Sequence, residues 1–122
     1  MATGDPPRVV DFGHLERYAM ADQSLVDEVL AIFRQQAEVW MPQFDPAAPD
    51  KAWRDLAHSL KGSALGIGAF ALADECEAAE RSTRTDLEER KRLLAYIRAA
   101  LDATLAEITV YLHERAARKS RA

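Results

Sequence analysis

Apolar residues that recur every three or four positions, segment after segment, constrain this chain more than any other feature. That spacing lines up side chains on one side of an α-helix and scatters them over both faces of a strand. Leu25, Val29, Ile32, Phe33, Ala37 and Trp40 form one such series, and Trp53, Leu56, Ala57, Leu60, Ala64 and Ile67 form another. Phe70, Leu72, Ala73, Cys76 and Ala79 carry a third. In the last segment Leu87, Leu94, Leu101 and Ile108 repeat every seven residues, with Ile97, Leu105 and Leu112 between them. Five glycines and five prolines fall mostly between the periodic segments, and no alternating β-branched run suggests a strand. The chain is expected to be all-α.

Turn and capping signals set the expected boundaries. Asp11 can cap a short first helix over about 11–19, with Val10 and Leu15 as a hydrophobic staple across it. Ser24 and Asp27 fit a capping box for a long second helix over about 23–43. Pro46 and Pro49 break it, and Asp50 can cap a third helix that weakens at Gly66 and Gly68. A fourth begins at Phe70 and ends near "RSTRTD"; Thr85 and Glu88 then offer a capping box for a last helix over about 86–116. Short connections make neighbouring helices antiparallel, so the expected architecture is an up-down-up-down four-helix bundle with a short extra N-terminal helix. Residues 1–10 are read as a flexible tail, 11–116 as the domain and 117–122 as a basic tail.

At 122 residues the chain can bury one compact core. Its 48% hydrophobic and 30% charged content suits a globular domain, and a net charge of -4 argues against the basic face that nucleic acid demands. Cys76 is the single cysteine, which excludes an internal disulfide and points to a reducing compartment. The opening "MATGDPPRVV" has no signal-peptide pattern, and no apolar run approaches the ~20 residues of a membrane span. A soluble, cytoplasmic, freestanding module is the expectation. The charge run "DLEERKR" reads as a solvated face with i,i+4 pairs.

One stretch does not read as packing alone: "DLAHSLKGSALGIGAFALADECEAAE", Asp55 to Glu80. On the third helix Ala57, Leu60, Ala64 and Ile67 make the core stripe, which turns His58, Lys61, Gly62 and Leu65 toward the edge. Lys61 and Gly62 follow the histidine by three and four residues, the spacings that make helix neighbours. A mid-helix glycine costs about 1 kcal/mol relative to alanine, so bare backbone is tolerated where a side chain would be cheaper. If the next turn centres on Ala69, His58 and Glu80 lie equally far from it and face each other. A carboxylate on Nδ1–H would fix the imidazole tautomer and leave the Nε2 lone pair directed outward as a nucleophile. Lys61 could then neutralise a phosphoryl group in transfer. His14 and His113 lack such neighbours and read as ordinary surface residues.

These residues resemble the signature of histidine-containing phosphotransfer (HPt) domains. Ala57, His58, Leu60, Lys61, Gly62, Ser63, Gly68, Leu72, Cys76 and Glu80 all fall on it, and the resemblance extends over about 11–112. The chain departs from it at Ala79, where leucine is common, and in the additional Gly66. The resemblance implies phosphorylation on His58, phosphoryl stabilisation by Lys61, close docking permitted by Gly62 and a hydrogen bond from Glu80 to the imidazole, while Ser63 is read as stabilising its helix locally. It implies a phosphorelay carrier that takes the group from an aspartyl-phosphate receiver domain, freestanding or in a hybrid kinase, and passes it to another. Mg²⁺ would be supplied by the receiver, with no cofactor or metal of the carrier's own.

No glycine-rich phosphate loop or nucleotide fingerprint is present, so autokinase activity is not expected. Sensor-kinase dimerisation helices typically carry an acidic residue after the histidine and a later proline, and proline is absent from 50–122. A monomer is expected. Two other readings belong to different classes. One is a helical adaptor that binds signalling partners without using His58; the other is a metal-binding bundle recruiting His58, Cys76 and Glu80, for which metal-ligand spacing is missing.

Overall fold

The computed structural model describes residues 9–83 and 85–121. Its elements are α1 (Phe12–Tyr18), α2 (Gln23–Trp40), α3 (Asp50–Ile67), α4 (Phe70–Arg81) and α5 (Leu87–Arg121), with a short 3-10 turn at Met41–Gln43. Among the described residues there is no strand, and no helix is long and apolar enough to cross a membrane. Helices α2 to α5 form the four-helix bundle, α3 and α4 making its most intimate pair, and α1 lies across α2 and α3.

The start of α1 is as expected. Asp11 accepts from His14 N at 3.1 Å, and Val10 and Leu15 are both buried. Other caps differ. The first turn of α2 is closed by Asp22, which accepts from Leu25 N at 3.2 Å, and not by Ser24. Asp27 instead forms a two-point pair with Arg115 of α5, at 2.8 and 3.1 Å. Pro42 has no N–H to continue an α-helical ladder, so α2 ends at Trp40 and not at 43. Asp50 is the first residue inside α3 and its carboxylate takes the guanidinium of Arg90 at 2.7 Å. Asp86, not Thr85, accepts from Glu89 N at the head of α5. Thr85 Oγ1 lies 2.8 Å from Thr83 Oγ1, and Glu88 pairs with Lys91.

Both expected domain boundaries move. Residues 1–8 lie outside the described residues, but Val9 and Val10 donate their backbone N–H groups to the two oxygens of Glu107. The chain after 116 contains no Gly or Pro to stop a helix, and α5 runs on to Arg121. Residue 122 lies outside the described residues.

The core contains Trp53, Ala57, Leu60, Ala64 and Ile67 of α3, Leu72, Ala73, Cys76 and Ala79 of α4, and Leu94, Ile97, Leu101 and Ile108 of α5. On α2 the expected stripe is rotated. Val26, Leu30, Phe33 and Ala37 face the core, while Leu25 and Ile32 are exposed and Val29 is half-buried. The helix carries two apolar stripes, and only one can point inward. Phe70 and Leu87, at the N-terminal ends of their helices, also stay exposed.

The charge run on α5 hides an exception. Arg90 is fully buried, with its guanidinium 4.9 Å from the Trp53 ring centroid. It donates to Ala48 O at 3.1 Å as well as to Asp50, and so ties α5 to the α2–α3 connection. Its neighbours Lys91 and Arg92 make pairs at i,i+3 spacing.

Candidate functional site

Two anchors set the register of the α3–α4 hairpin. At the turn, Gly68 has φ 85° and caps α3 in the left-handed region, and Ala69 N donates to Ala64 O at 2.8 Å. A Cβ on Gly68 would also lie 2.5 Å from Asp11 O, while Asp11 N donates to Gly68 O at 2.9 Å. Glycine is required there twice over, by conformation and by the close approach of α1. At the other end the buried Trp53 donates from Nε1 to Ala79 O at 2.7 Å and to Ser82 Oγ at 3.0 Å. Between these anchors His58 and Glu80 have no freedom to slide past one another.

His58 projects from the middle of α3 with 71% of its side chain exposed, more open than the edge position read from the helix wheel. Its Nδ1 lies 3.2 Å from Glu80 Oε1. Lys61 Nζ lies 3.0 Å from the same oxygen, with only 21% of its side chain exposed. The Lys61 hydrogen bond holds the Glu80 carboxyl below the usual carboxylate range; partial burial opposes that shift and the contact with His58 assists it. Glu80 is therefore ionised at neutral pH and can only accept. A neutral imidazole facing it must carry its proton on Nδ1, which leaves Nε2 with a free lone pair.

One helical turn beyond His58, Gly62 is exposed, and a Cβ built on it would meet nothing within 4 Å. The glycine serves no close packing between α3 and α4. It leaves open backbone next to the imidazole. Ser63 differs from expectation, since its hydroxyl donates across to Gln36 Oε1 of α2 at 3.5 Å.

All four residues singled out in the sequence, His58, Lys61, Gly62 and Glu80, thus belong to one surface. Cys76, the third member of the metal reading, does not. Cys76 is fully buried, and burial pushes its thiol up to about 12, far from the thiolate that ligates metals. Among the described residues no group of three or more His, Cys, Asp or Glu side chains could hold a metal ion. Two features escaped the sequence reading. Arg90 lies three residues after Leu87 and four before Leu94, a core position, and that spacing was the available signal. The exposed stripe of α2 gave no signal of its own, because a second apolar stripe looks like a wider core face.

A bundle of antiparallel helices with a solvent-facing histidine, braced by a carboxylate and a lysine, defines a class of protein built to present an imidazole to another molecule. Comparison with known proteins places the chain within that class. A family model described as the Hpt domain matches residues 23–107, more than half of the chain, and the chain belongs to the Hpt family. Among solved structures it is similar to the histidine phosphotransferase ShpA from Caulobacter crescentus, with 43% sequence identity and a TM-score of 0.72. That match covers 91% of this chain and 97% of the other. A search of the curated proteins found no match. Hpt domains interact with receiver domains in phosphorelays, and a phosphorelay carrier is the role these likenesses support, in preference to an adaptor that makes no use of the histidine.

Proposed function

We propose that His58 is the phosphoacceptor, that it takes the phosphoryl group on Nε2 from an aspartyl phosphate of one receiver domain, and that it passes the group to the aspartate of another. The observation that carries this reading is the pairing of Nδ1 with Glu80 at 3.2 Å on an otherwise open imidazole. In the forward step the Nε2 lone pair attacks phosphorus, the bond between phosphorus and the aspartyl oxygen breaks, and the carboxylate leaves. No proton has to move, because Nε2 carries none before the attack. The imidazolium that results keeps its Nδ1–H on Glu80, whose charge stabilises it. The return step onto a second receiver is the same reaction reversed.

Lys61 has three ammonium donors, and its bond to Glu80 occupies one of them. The others are free to meet phosphoryl oxygens as charge moves onto them, the electrostatic task that dominates phosphoryl transfer. Gly62 removes the side chain that would stand between the imidazole and the incoming aspartate. Mg²⁺ is assigned to the receiver. The carrier is taken to have no autokinase activity and to act as a cytoplasmic monomer loaded by another protein.

The test is His58→Gln, assayed with a phosphorylated receiver domain. The variant is expected to keep the helical circular-dichroism spectrum and to accept no acid-labile, alkali-stable phosphoryl group. Label retained on His58→Gln would place the phosphoacceptor elsewhere.

A further inference from the structure

Glu80 occupies the least secure place a helix offers. It is the last residue but one of α4, which at 12 residues is the shortest of the four bundle helices. The last four carbonyls of any helix, here those of residues 78–81, have no amide of their own helix to bond, and helix ends fray. Helix α3 closes with Gly68 in the left-handed region, but α4 has no such glycine; Ser82 follows it in extended backbone, φ -74° and ψ 155°. Even so, Glu80 Oε1 meets both His58 Nδ1 at 3.2 Å and Lys61 Nζ at 3.0 Å. That geometry needs a hold on the turn from outside α4.

The hold comes from α3. Trp53 is 1% exposed, and an indole N–H buried so deeply needs an acceptor. It finds Ala79 O at 2.7 Å, the carbonyl of the peptide link that leads into Glu80. The Ser82 hydroxyl donates to the same oxygen at 2.7 Å and the Ser82 amide at 3.1 Å. Trp53 Nε1 also reaches Ser82 Oγ at 3.0 Å, and Arg90 of α5 donates to Ser82 Oγ and Ser82 O, both at 3.4 Å. The Ala79–Glu80 peptide is thereby fixed to the same helix that carries His58. Filling the core asks only for an aromatic ring; the indole N–H is what reaches α4.

We propose that Trp53 is a positioning residue for phosphoryl transfer, with Ser82 as its partner: together they cap the last turn of α4 and keep the Glu80 carboxylate on Nδ1 of His58. The inference rests on the reading of His58 as the phosphoacceptor. Neither residue touches the reacting atoms. When the turn loosens, Glu80 withdraws from Nδ1, and the neutral imidazole is free to carry its proton on Nε2, on the lone pair that attacks phosphorus. Lys61 loses its anchor in the same movement. Trp53→Phe separates this role from packing. It keeps a ring in the core and strands no carbonyl, because Ala79 O retains the Ser82 hydroxyl and amide. What it removes is the tie from α3.

The experiment loads His58 from phosphoramidate, a small phosphoryl donor that needs no docking, in Trp53→Phe, Ser82→Ala and Ser82→Thr, at a temperature where circular dichroism shows each variant folded. Because a misplacement of about 1 Å costs on the order of 100-fold in rate, partial loosening is expected to slow Trp53→Phe by at least about fivefold. Ser82→Ala should be slowed in the same direction, and Ser82→Thr, which keeps the hydroxyl, should load like the wild type. Nitrogen-15 NMR of the ring should show the Nε2–H form of His58 gaining population in the two slowed variants. The deciding comparison is made in a Glu80→Ala background, where Trp53→Phe should change the rate by less than about twofold, since the group it positions is gone. Wild-type loading in both Trp53→Phe and Ser82→Ala, whatever their Tm, overturns the inference and leaves the carrier reading intact. Equal slowing by Trp53→Phe with and without Glu80 overturns it too, because the tryptophan then acts on the fold and not through the carboxylate. Should Trp53→Phe not fold, Ser82→Ala in the two backgrounds decides by the same criteria. Label that persists in His58→Gln removes the phosphoacceptor reading, and this inference with it.

Discussion

Gly62 gives the sharpest test of the site because stability and function are expected to move in opposite directions there. A Cβ at this position meets nothing within 4 Å, so Gly62→Ala introduces no clash. What remains is helix propensity, about 1 kcal/mol in favour of alanine within an exposed helix interior. Unfolding entropy near 2.1 cal/mol/K per residue, over 122 residues, converts that gain into a Tm about 4 °C higher. Gly62→Gln has a similar but smaller stability gain and a different effect on transfer. Helix side chains tilt toward the N-terminus and cover the preceding turn, which here is the turn carrying His58. The glutamine would stand next to Nε2 and hold the receiver's aspartate away from the near-contact distance that transfer requires. A displacement of about 1 Å from productive geometry costs on the order of 100-fold in rate. Scanning calorimetry and a rapid-quench time course with one phosphorylated receiver, run on both variants, measure the two effects. A lower Tm for Gly62→Ala would refute the open-space argument, and a wild-type transfer rate for Gly62→Gln would refute the docking role.

Four further outcomes are expected. Lys61→Ala should slow transfer by roughly 10- to 1,000-fold without abolishing it. In a carbon-detected NMR titration the Glu80 carboxyl of the wild type should titrate below its ordinary value of 4.5, and Lys61→Ala should move it back up. Because that pKa is depressed in the fold, the ion pair's stabilising contribution is present above the unfolded value and is lost as pH falls through the folded one; a midpoint unmoved by Lys61→Ala would contradict the assigned cause. Arg90→Ala removes a buried guanidinium, strands the carbonyl of Ala48 and leaves a cavity beside Trp53, so a loss of about 3–5 kcal/mol is expected in urea unfolding, and one under about 1 kcal/mol would refute the role of Arg90 in tying α5 to the α2–α3 connection. Gly68→Ala must adopt φ 85° with a Cβ 2.5 Å from Asp11 O, and a destabilisation of at least about 2 kcal/mol is expected from the left-handed backbone and the displaced α1; an unchanged chemical-denaturation midpoint would show that the turn has another way to close.

The site was legible in the sequence because it is local. His58, Lys61 and Gly62 share one helix, and Glu80 sits across a two-residue connection, so a period of 3.6 and one turn position sufficed to bring them together. Fold class and the order of the helices were legible on the same grounds. Caps were less so. Ser24 and Asp27, or Thr85 and Glu88, satisfy a capping box as written, yet Asp22 and Asp86 stand just as close to the helix starts, and backbone entry decides between them. Asp27 was unavailable as a box partner because Arg115, far along the chain, offers it a two-point ion pair.

What the sequence by itself determined is everything carried by repeating local geometry: helices without strands, a connection between the second and third helices around Pro46 and Pro49, a third helix that gives out at Gly68, and a histidine with a lysine, a glycine and a carboxylate as neighbours. What only the tertiary structure decided is which surface each element turns inward and which distant partner each charge finds. Helix α2 has two apolar stripes, and its periodicity is satisfied by burying either; packing against α3 and α5 selected Val26, Leu30 and Phe33 and left Val29 and Ile32 to line a groove. Arg90 sits in a charge run and is buried all the same, because Asp50 and the carbonyl of Ala48 converge on it from 40 and 42 residues away in sequence. Glu107 captures the amides of Val9 and Val10 across almost the whole chain. Periodicity reports an angle around one helix axis; the choice among distant partners depends on how several axes pack together, and no local spacing records it.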